Sequence, residues 1–468
     1  MTSNSSPFCR LDETNSTPTL RRSADDPLLR NPSVRGANSN GNHKPAHTAS
    51  PTPKRALIGA GVGNALEWFD WMIYAQFSVL LSLQFFPSGN PVAALLSTLA
   101  VFGAGFLFRP LGGYLLSLVT DRRGRRTGMV VTILLMAGGT LLIGISPTYA
   151  QVGVLAPILL LVARGCQGMS AGGELAAVST YLAEVSPPKR RGLYGSVLYI
   201  SATVGSLAAT GIALLLNATL SESQLQDWGW RLPFIFGALI GVIALMLRRN
   251  LHETSAFEST ATTPRSPGGV LATLLRDHRA DFLRLVLLAG LSGLWYYIFA
   301  SYLPVYLTGR GLDASAALWA NVIALVVFIL SLPVVGAISD RYGRRVLILA
   351  FCAGAAITVV PLFALLEETF ARQLILQTFA LLIFALFAAI GPIAMAEQFP
   401  TEIRAVGLGL PYAIGAAIFG GTAPFIMQWL SEIGIGWVFP WYVAILAACT
   451  FVAMLTLRDH GDSDMADI

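Results

Sequence analysis

Charge is what this chain has least of. Only 12% of its 468 residues are Asp, Glu, Lys or Arg, against about 25% in soluble domains, while 54% are hydrophobic. That excludes a water-soluble globular fold and makes lipid the solvent. Cysteine is also sparse: Cys9, Cys166, Cys352 and Cys449 show no paired spacing, and three of them fall in apolar runs. Neither a disulfide framework nor a zinc site follows. The five histidines, His43, His47, His252, His278 and His460, sit in tails or basic loops, which excludes an intramembrane histidine relay and a buried haem. No Gly-x-x-x-x-Gly-Lys-[Ser/Thr] sequence occurs, so a built-in ATP motor is excluded and uphill work would draw on an ion gradient. The run Gly59-Ala60-Gly61-Val62-Gly63 opens an apolar segment and follows no strand, so it is not a dinucleotide loop. No nucleophile–base pair or metal-ligand set points to an enzyme, and no cofactor or metal is expected.

What the chain does have is length of apolar sequence. A bilayer span takes about 20 mostly apolar residues, and twelve such runs are predicted, at 56–83, 92–119, 128–146, 151–176, 193–216, 231–248, 282–307, 315–337, 346–366, 373–395, 406–430 and 439–457. The fold class is therefore an all-α membrane protein of twelve helices in two six-helix sets. The net charge of +5 does not indicate nucleic acid, because the basic residues occupy alternate loops. Arg122 to Arg126, Lys189 to Arg191, the stretch from Arg248 to Arg284, Arg341 to Arg345 and Arg404 lie on one side, whereas the intervening loops hold Arg310 and Arg372. The positive-inside rule puts the rich side and both termini in the cytoplasm. Residues 1–55, rich in Ser, Thr, Asn and Pro, read as a disordered cytoplasmic tail. Residues 56–248 and 282–457 form the two helical sets, 249–281 a cytoplasmic connector with Pro264, Pro267, Gly268 and Gly269, and 458–468 a short cytoplasmic tail.

The two sets are copies. Asp121-Arg122-Arg123-Gly124-Arg125-Arg126 recurs as Asp340-Arg341-Tyr342-Gly343-Arg344-Arg345, and Glu184, Pro187 and Arg191 recur as Glu397, Pro400 and Arg404 at nearly the same offset. Parallel halves of this kind build many secondary transporters, with the ligand site near the bilayer midplane between them.

Several segments carry a closer likeness: Gly63-Asn64-Ala65-Leu66-Glu67-Trp68-Phe69-Asp70, Arg109-Pro110-Leu111-Gly112-Gly113, Arg164 with Gln167-Gly168 and Gly172-Gly173-Glu174, Gly229-Trp230-Arg231-Leu232-Pro233-Phe234, Ala396-Glu397-Gln398-Phe399-Pro400 and Ile418-Phe419-Gly420-Gly421-Thr422. In this order, from about residue 56 to 457, they resemble the metabolite:proton symporter branch of the major facilitator superfamily. Phe85 to Asn90, Val101 to Phe106 and Gly407 to Ala413 are most similar to the 2-oxoglutarate permease subgroup. Thr140 to Ile143 and Leu155 to Ile158 resemble citrate carriers, and proline and betaine carriers share much of the frame. The 2-oxoglutarate subgroup tends to have a lysine near Tyr306; here no lysine lies in any predicted span.

On the first span, at about 100° per residue, Asn64, Glu67, Asp70, Trp71, Tyr74 and Ser78 share an arc of about 120°. Charge within a membrane costs several kcal/mol unless paired or hydrated, so an acidic pair there marks a functional site. Burial raises a carboxyl pKa and a nearby cation lowers it, opposed effects that a proton-coupling group needs. Arg164, midway along the fourth span, is the expected partner, and Glu67, Asp70 and Arg164 form the expected proton-coupling set. The alternative is a permanent bridge that only orders the bundle. For substrate, the expected contacts are Asn64, Trp71, Tyr74, Arg109, Arg164, Arg231, Tyr296 and Tyr297. Arg109 is placed closer to the cytoplasmic end, where a structural tie competes with carboxylate binding. Arg231, at the outer face, either gathers anions or snorkels to the headgroups, while Tyr302 and Tyr306 fit an interfacial belt. Trp295 joins these aromatics, and Glu174 reads as a structural charge on the cytoplasmic side.

The resemblance implies a further role for the repeated loop motifs, a cytoplasmic latch for the outward-open state. Its residues are Gly113, Asp121, Arg122, Gly124, Arg125, Arg126, Glu184 and Arg191 in the first half. Asp340, Arg341, Gly343, Arg344, Arg345, Glu397 and Arg404 are the counterparts. Asp121 is expected at a helix N-terminus of the opposite half, and Glu397 with Arg404. The alternative is a purely topogenic basic loop.

The expected activity is import of a small organic anion together with protons across a bacterial inner membrane, by alternating access of a monomer. A di- or tricarboxylate, 2-oxoglutarate first, is the leading substrate class. A proline or betaine symporter is the rival in chemistry, and a membrane sensor with a carrier frame the rival in class. The partners are then the small-molecule substrate, protons and the lipid bilayer, with no nucleic acid.

Overall fold

The computed structural model describes residues 53–86, 89–123, 125–185, 190–249, 267–399 and 403–457. Among these there is no strand. Twelve long helices follow one another: α1 (Pro53–Gln76), α2 (Pro91–Arg123), α3 (Arg125–Ile145), α4 (Leu155–Val185), α5 (Arg191–Thr219), α6 (Leu232–Arg249), α7 (Arg279–Tyr296), α8 (Ala314–Tyr342), α9 (Arg344–Ala364), α10 (Phe370–Ala388), α11 (Arg404–Gly415) and α12 (Val438–Met454). Nine stretches among the described residues are long and apolar enough to cross a membrane unaided. α3 and α12 contribute shorter apolar helices, Val130–Ile145 and Val438–Met454. α1, at 24 residues, carries Asn64, Glu67 and Asp70 within its apolar sequence. With an even number of spans, α1 begins and α12 ends on one face of the bundle, called here the terminal face.

The duplication read from the loop motifs reappears in the packing. In the first half α1 packs on α5, α2 on α4 and α3 on α6. Six helices later the same pairs recur as α7 on α11, α8 on α10 and α9 on α12. The halves meet through two related seams, α5 against α8 and α2 against α11. Lipid supplies no hydrophobic drive between helices, so tight pairs rest on close backbone approach at small residues. The α2–α4 pair does this most closely, through Gly105 and Gly112 against Gly168 and Gly172.

Three helices break their regular course near the seams. α1 is interrupted at Phe77 before Ser78–Phe85. α7 passes through a π-helical turn at Tyr297–Tyr302 into Leu303–Gly309, and its partner α11 has the equivalent turn at Ala416–Gly420 before Ala423–Glu432. Such widened turns free backbone groups and are frequent at functional sites. Within the expected connector a helix, Pro267–Asp277, leads into α7. The tails expected at 1–55 and 458–468 lie outside the described residues except for the first turn of α1.

Candidate functional site

Asp70 on α1 and Arg164 on α4 meet, with Oδ2 3.9 Å from Nη1. They are joined by a second route as well. Arg164 Nη1 donates to Gln167 Oε1 at 2.8 Å, Gln167 Nε2 donates to Thr140 Oγ1 on α3 at 3.1 Å, and the Thr140 hydroxyl donates to Asp70 Oδ1 at 2.5 Å. Three helices thus run three hydrogen bonds in series from guanidinium to carboxylate, and the 3.9 Å ion pair closes them into a ring. All four side chains are buried, where an unpaired polar group costs about 1–3 kcal/mol.

A second pair lies beside the first. Glu67 Oε1 is 3.9 Å from Arg109 Nη2, which also donates to the Tyr297 hydroxyl at 3.5 Å. Trp71 serves both arginines: the Arg164 guanidinium lies 3.9 Å and that of Arg109 4.4 Å from its ring centroid. Desolvated contacts of this kind contribute about 2 kcal/mol each. Tyr74 adds a second ring 4.5 Å from Arg164 and donates its hydroxyl to Thr98 O.

Between the halves lies a cavity of ≈ 20 Å³, bounded by Glu67, Trp68, Arg109 and Gly172 on one side and by Gly409 and Tyr412 on the other. That holds one water and no metabolite, so the bundle is closed at its centre. Arg109, expected nearer the terminal face, borders this cavity. Every buried charge of the centre comes from the first half. The second half offers phenols and rings: Tyr296 shares a hydrogen bond with Ser206 at 3.0 Å, and Trp68 stands edge-on to Tyr296 and stacked on Tyr297, with centroids 4.9 and 5.8 Å apart.

Other expected contacts are engaged within the protein. Asn64 donates to Leu198 O and the Ser201 hydroxyl, tying α1 to α5. Arg231 donates to Gly144 O and Ser146 O, closing the C-terminus of α3, where a cation suits the helix dipole. Trp295 donates to Ala380 O inside the second half. Tyr302 is fully buried and donates to Gln428, so it is not part of an interfacial belt.

At the terminal face the halves are tied by charge. Asp340, at the end of α8, accepts from Gly192 N at 2.8 Å and Leu193 N at 3.2 Å, capping α5 of the opposite half. Glu397 lies 3.5 Å from Arg191 of the first half and accepts from Arg344. Arg345 donates to Leu455 O at the end of α12, Arg404 to Phe399 O, and Arg341 is exposed. Gly343 turns α8 into α9 at φ +88°, a conformation glycine adopts without strain. Gly113 faces Gly172 O, which a Cβ would approach to 3.2 Å. The side chains of Asp121, Arg122, Arg125, Arg126 and Glu184, and all of Gly124 and Pro400, lie outside the described residues.

Toward the opposite face the tie is neutral. Gln76 of α1 and Asn321 of α8 both donate to the Thr210 hydroxyl of α5, at 2.7 and 3.2 Å. Gln377 of α10 donates to Asn321 Oδ1 and to Phe299 O in the π-helical turn, and Gln373 donates to Gln377. Sequence reasoning assigned no role to these residues, nor to Thr140, Gln167 or Tyr412. The available signal was an amide or hydroxyl inside an apolar run, as with Gln373 and Gln377 one helical turn apart.

Residues 60–369 match the model of the Major Facilitator Superfamily. The chain is 40% identical over 419 residues to the alpha-ketoglutarate permease of Escherichia coli (strain K12), covering 88% of this chain and 96% of that one. It is 36% identical over 382 residues to the citrate-proton symporter of Klebsiella pneumoniae, covering 81% and 85%. The solved structure of the proton:xylose symporter XylE bound to 6-bromo-6-deoxy-D-glucose shares the fold, with a TM-score of 0.72 at 17% identity over 88% of this chain and 97% of that one. The paired-helix symmetry, the cavity at the seam and these matches lead to one conclusion: the chain is a multi-pass membrane transport protein, not an enzyme, and belongs to the Major Facilitator Superfamily.

Proposed function

We propose that this protein is a proton-coupled symporter that imports a small organic anion, a di- or tricarboxylate of the 2-oxoglutarate type, across a bacterial inner membrane with both termini cytoplasmic. The observation that carries the reading is the pair of buried acid–arginine couples, Asp70–Arg164 and Glu67–Arg109, on one half of a closed central site. Each arginine is a planar fork suited to a carboxylate, and each is already occupied by an acid of the protein. A substrate anion therefore competes with Glu67 or Asp70 until that acid is protonated. Two guanidinium groups on one tryptophan ring also suit a ligand with two carboxylates. The similarity to the alpha-ketoglutarate permease and to a citrate-proton symporter supports the same class.

Uptake into proteoliposomes under an imposed inward proton gradient tests this, with labelled 2-oxoglutarate, citrate, proline and betaine side by side. Accumulation of a carboxylate is expected; accumulation of the zwitterions alone would transfer the assignment to the osmoprotectant class, and accumulation of nothing would end the symport reading.

Alternating access requires that each face close in turn, and the two ties suit that role. Asp340→Ala removes two hydrogen bonds to a helix N-terminus, about 1–2 kcal/mol, so the terminal face should open roughly 5- to 30-fold more often. Spin labels at the terminal ends of α5 and α8 would report a second, longer distance. Asn321→Leu should act in the opposite sense: losing the bonds of one amide, at about 1 kcal/mol each, lengthens the α5–α8 distance at the other face while leaving the terminal face shut.

A further inference from the structure

We propose that Thr140 is a hydroxyl switch that lets Asp70 take up a proton with no hydrogen bond lost, while Gln167 keeps Arg164 in place, an inference that deepens the symport reading and rests on it. A threonine hydroxyl has one hydrogen and two lone pairs. Thr140 has two acceptors in reach, Asp70 Oδ1 at 2.5 Å and Met136 O at 2.9 Å, and receives Gln167 Nε2 at 3.1 Å. It can serve one acceptor at a time.

With Asp70 ionised, the charge-assisted bond prevails. Every hydrogen in the ring then points one way, from guanidinium to Gln167, from Gln167 to Thr140, and from Thr140 to the carboxylate. A proton that reaches Asp70 finds an acceptor through Oδ1 alone, because Oδ2 is buried without a hydrogen-bond partner among the described residues. The new Oδ1–H donates to Thr140 Oγ1, whose own hydrogen turns to Met136 O. Thr140 now accepts from both Asp70 and Gln167. One proton has been taken up, one hydroxyl has rotated, no heavy atom has moved, and no hydrogen bond has been lost.

What has changed is the charge beside Arg164. Its Nη1, the nitrogen 3.9 Å from Asp70 Oδ2, keeps the bond to Gln167 but loses the anion beside it, while Nε and Nη2 have no hydrogen-bond partner among the described residues in either state. Gln167 holds the guanidinium in place as its counter-ion disappears, leaving two donors for a substrate carboxylate. Thr140 and Gln167 are positioning residues in this scheme. The other groups around Asp70 are Glu67 and Tyr74 on α1 and Arg109 on α2. Tyr297 stands beyond them, bonded to Arg109, and α6 is apolar from Leu232 to Met246.

An infrared pH titration of the purified protein in lipid vesicles, without substrate, tests the switch. The carboxylic C=O band that disappears in Asp70→Asn belongs to Asp70. In Thr140→Val, which keeps the side chain's size, the midpoint of that band should rise by about one pH unit, since the ionised acid loses a stronger bond than the protonated one. The stretch should also move to the higher frequency of an acid whose O–H has no acceptor. Thr140→Ala should behave like Thr140→Val, and Thr140→Ser should restore both values. A wild-type midpoint and frequency in Thr140→Val and Thr140→Ala overturn the switch. Absence of any band sensitive to Asp70→Asn overturns both the switch and the placing of the proton on Asp70. Intact band shifts with no uptake of any offered solute overturn the symport reading and leave the switch standing.

Discussion

Asp70→Asn is expected to abolish uphill accumulation while leaving downhill exchange of substrate. With no membrane potential acting on the anion, an inward pH gradient of about 1.7 units is worth about 2.3 kcal/mol per proton, enough for roughly 50-fold accumulation if one proton moves with each solute. An amide at position 70 can neither take nor release that proton, so the accumulation ratio should fall from roughly 50 to about 1. The same change leaves Arg164 without its carboxylate in a fully buried site. Orphaning one member of a buried pair costs about 3–5 kcal/mol, so lower yield is expected too. The double replacement Asp70→Asn/Arg164→Gln removes both charges and separates the effects: folding should recover and coupling should not. Accumulation and counterflow measured on one preparation decide the matter. Wild-type accumulation in Asp70→Asn would mean that the pair only orders the bundle.

Gly168→Val should be the most damaging substitution for the fold. A Cβ at Gly168 would lie 1.8 Å from Gly105 O, a backbone atom that no rotamer change can move. α2 and α4 would have to separate, and with them Arg109 and Arg164, which these helices carry into the site. A loss beyond about 4 kcal/mol is expected, of the size that overpacking reaches only in unyielding places. Gly138→Ala is the control, because nothing lies within 4 Å of a Cβ there. Thermal unfolding in detergent should show little change for Gly138→Ala and no cooperative transition for Gly168→Val.

Much of this was legible before any coordinates. The face of α1 that carries Glu67 and Asp70 follows from the helical period, and the choice of Arg164 as partner followed from its depth in the fourth span. Those inferences depend on local geometry and on the rule that a membrane tolerates charge only in company. The duplication was equally plain, because a repeated loop motif requires a repeated pair of helices around it. Less legible was what Arg109 meets: it borders the cavity and pairs with Glu67. Tyr302, read as interfacial, is buried at the end of the π-helical turn and donates to Gln428. Asn64 and Arg231 have the chemistry of ligand contacts, yet Asn64 bonds a carbonyl and a serine hydroxyl of α5, and Arg231 two carbonyls at the end of α3. A polar residue in a span must find a partner, and sequence does not say whether that partner is a solute or a neighbouring helix.

The chain's own order of residues determined that it lives in lipid, that it crosses twelve times in two related halves, and which of its uncommon charges fall within the spans. All of these follow from what water and hydrocarbon accept along a single helix. The tertiary structure alone decided which acid meets which arginine, that Thr140 and Gln167 close the ring between them, and that one face is tied by charge and the other by neutral amides. Those are contacts between residues far apart in sequence, fixed by how closely glycine-faced helices approach and by which donors are left facing which acceptors once they do.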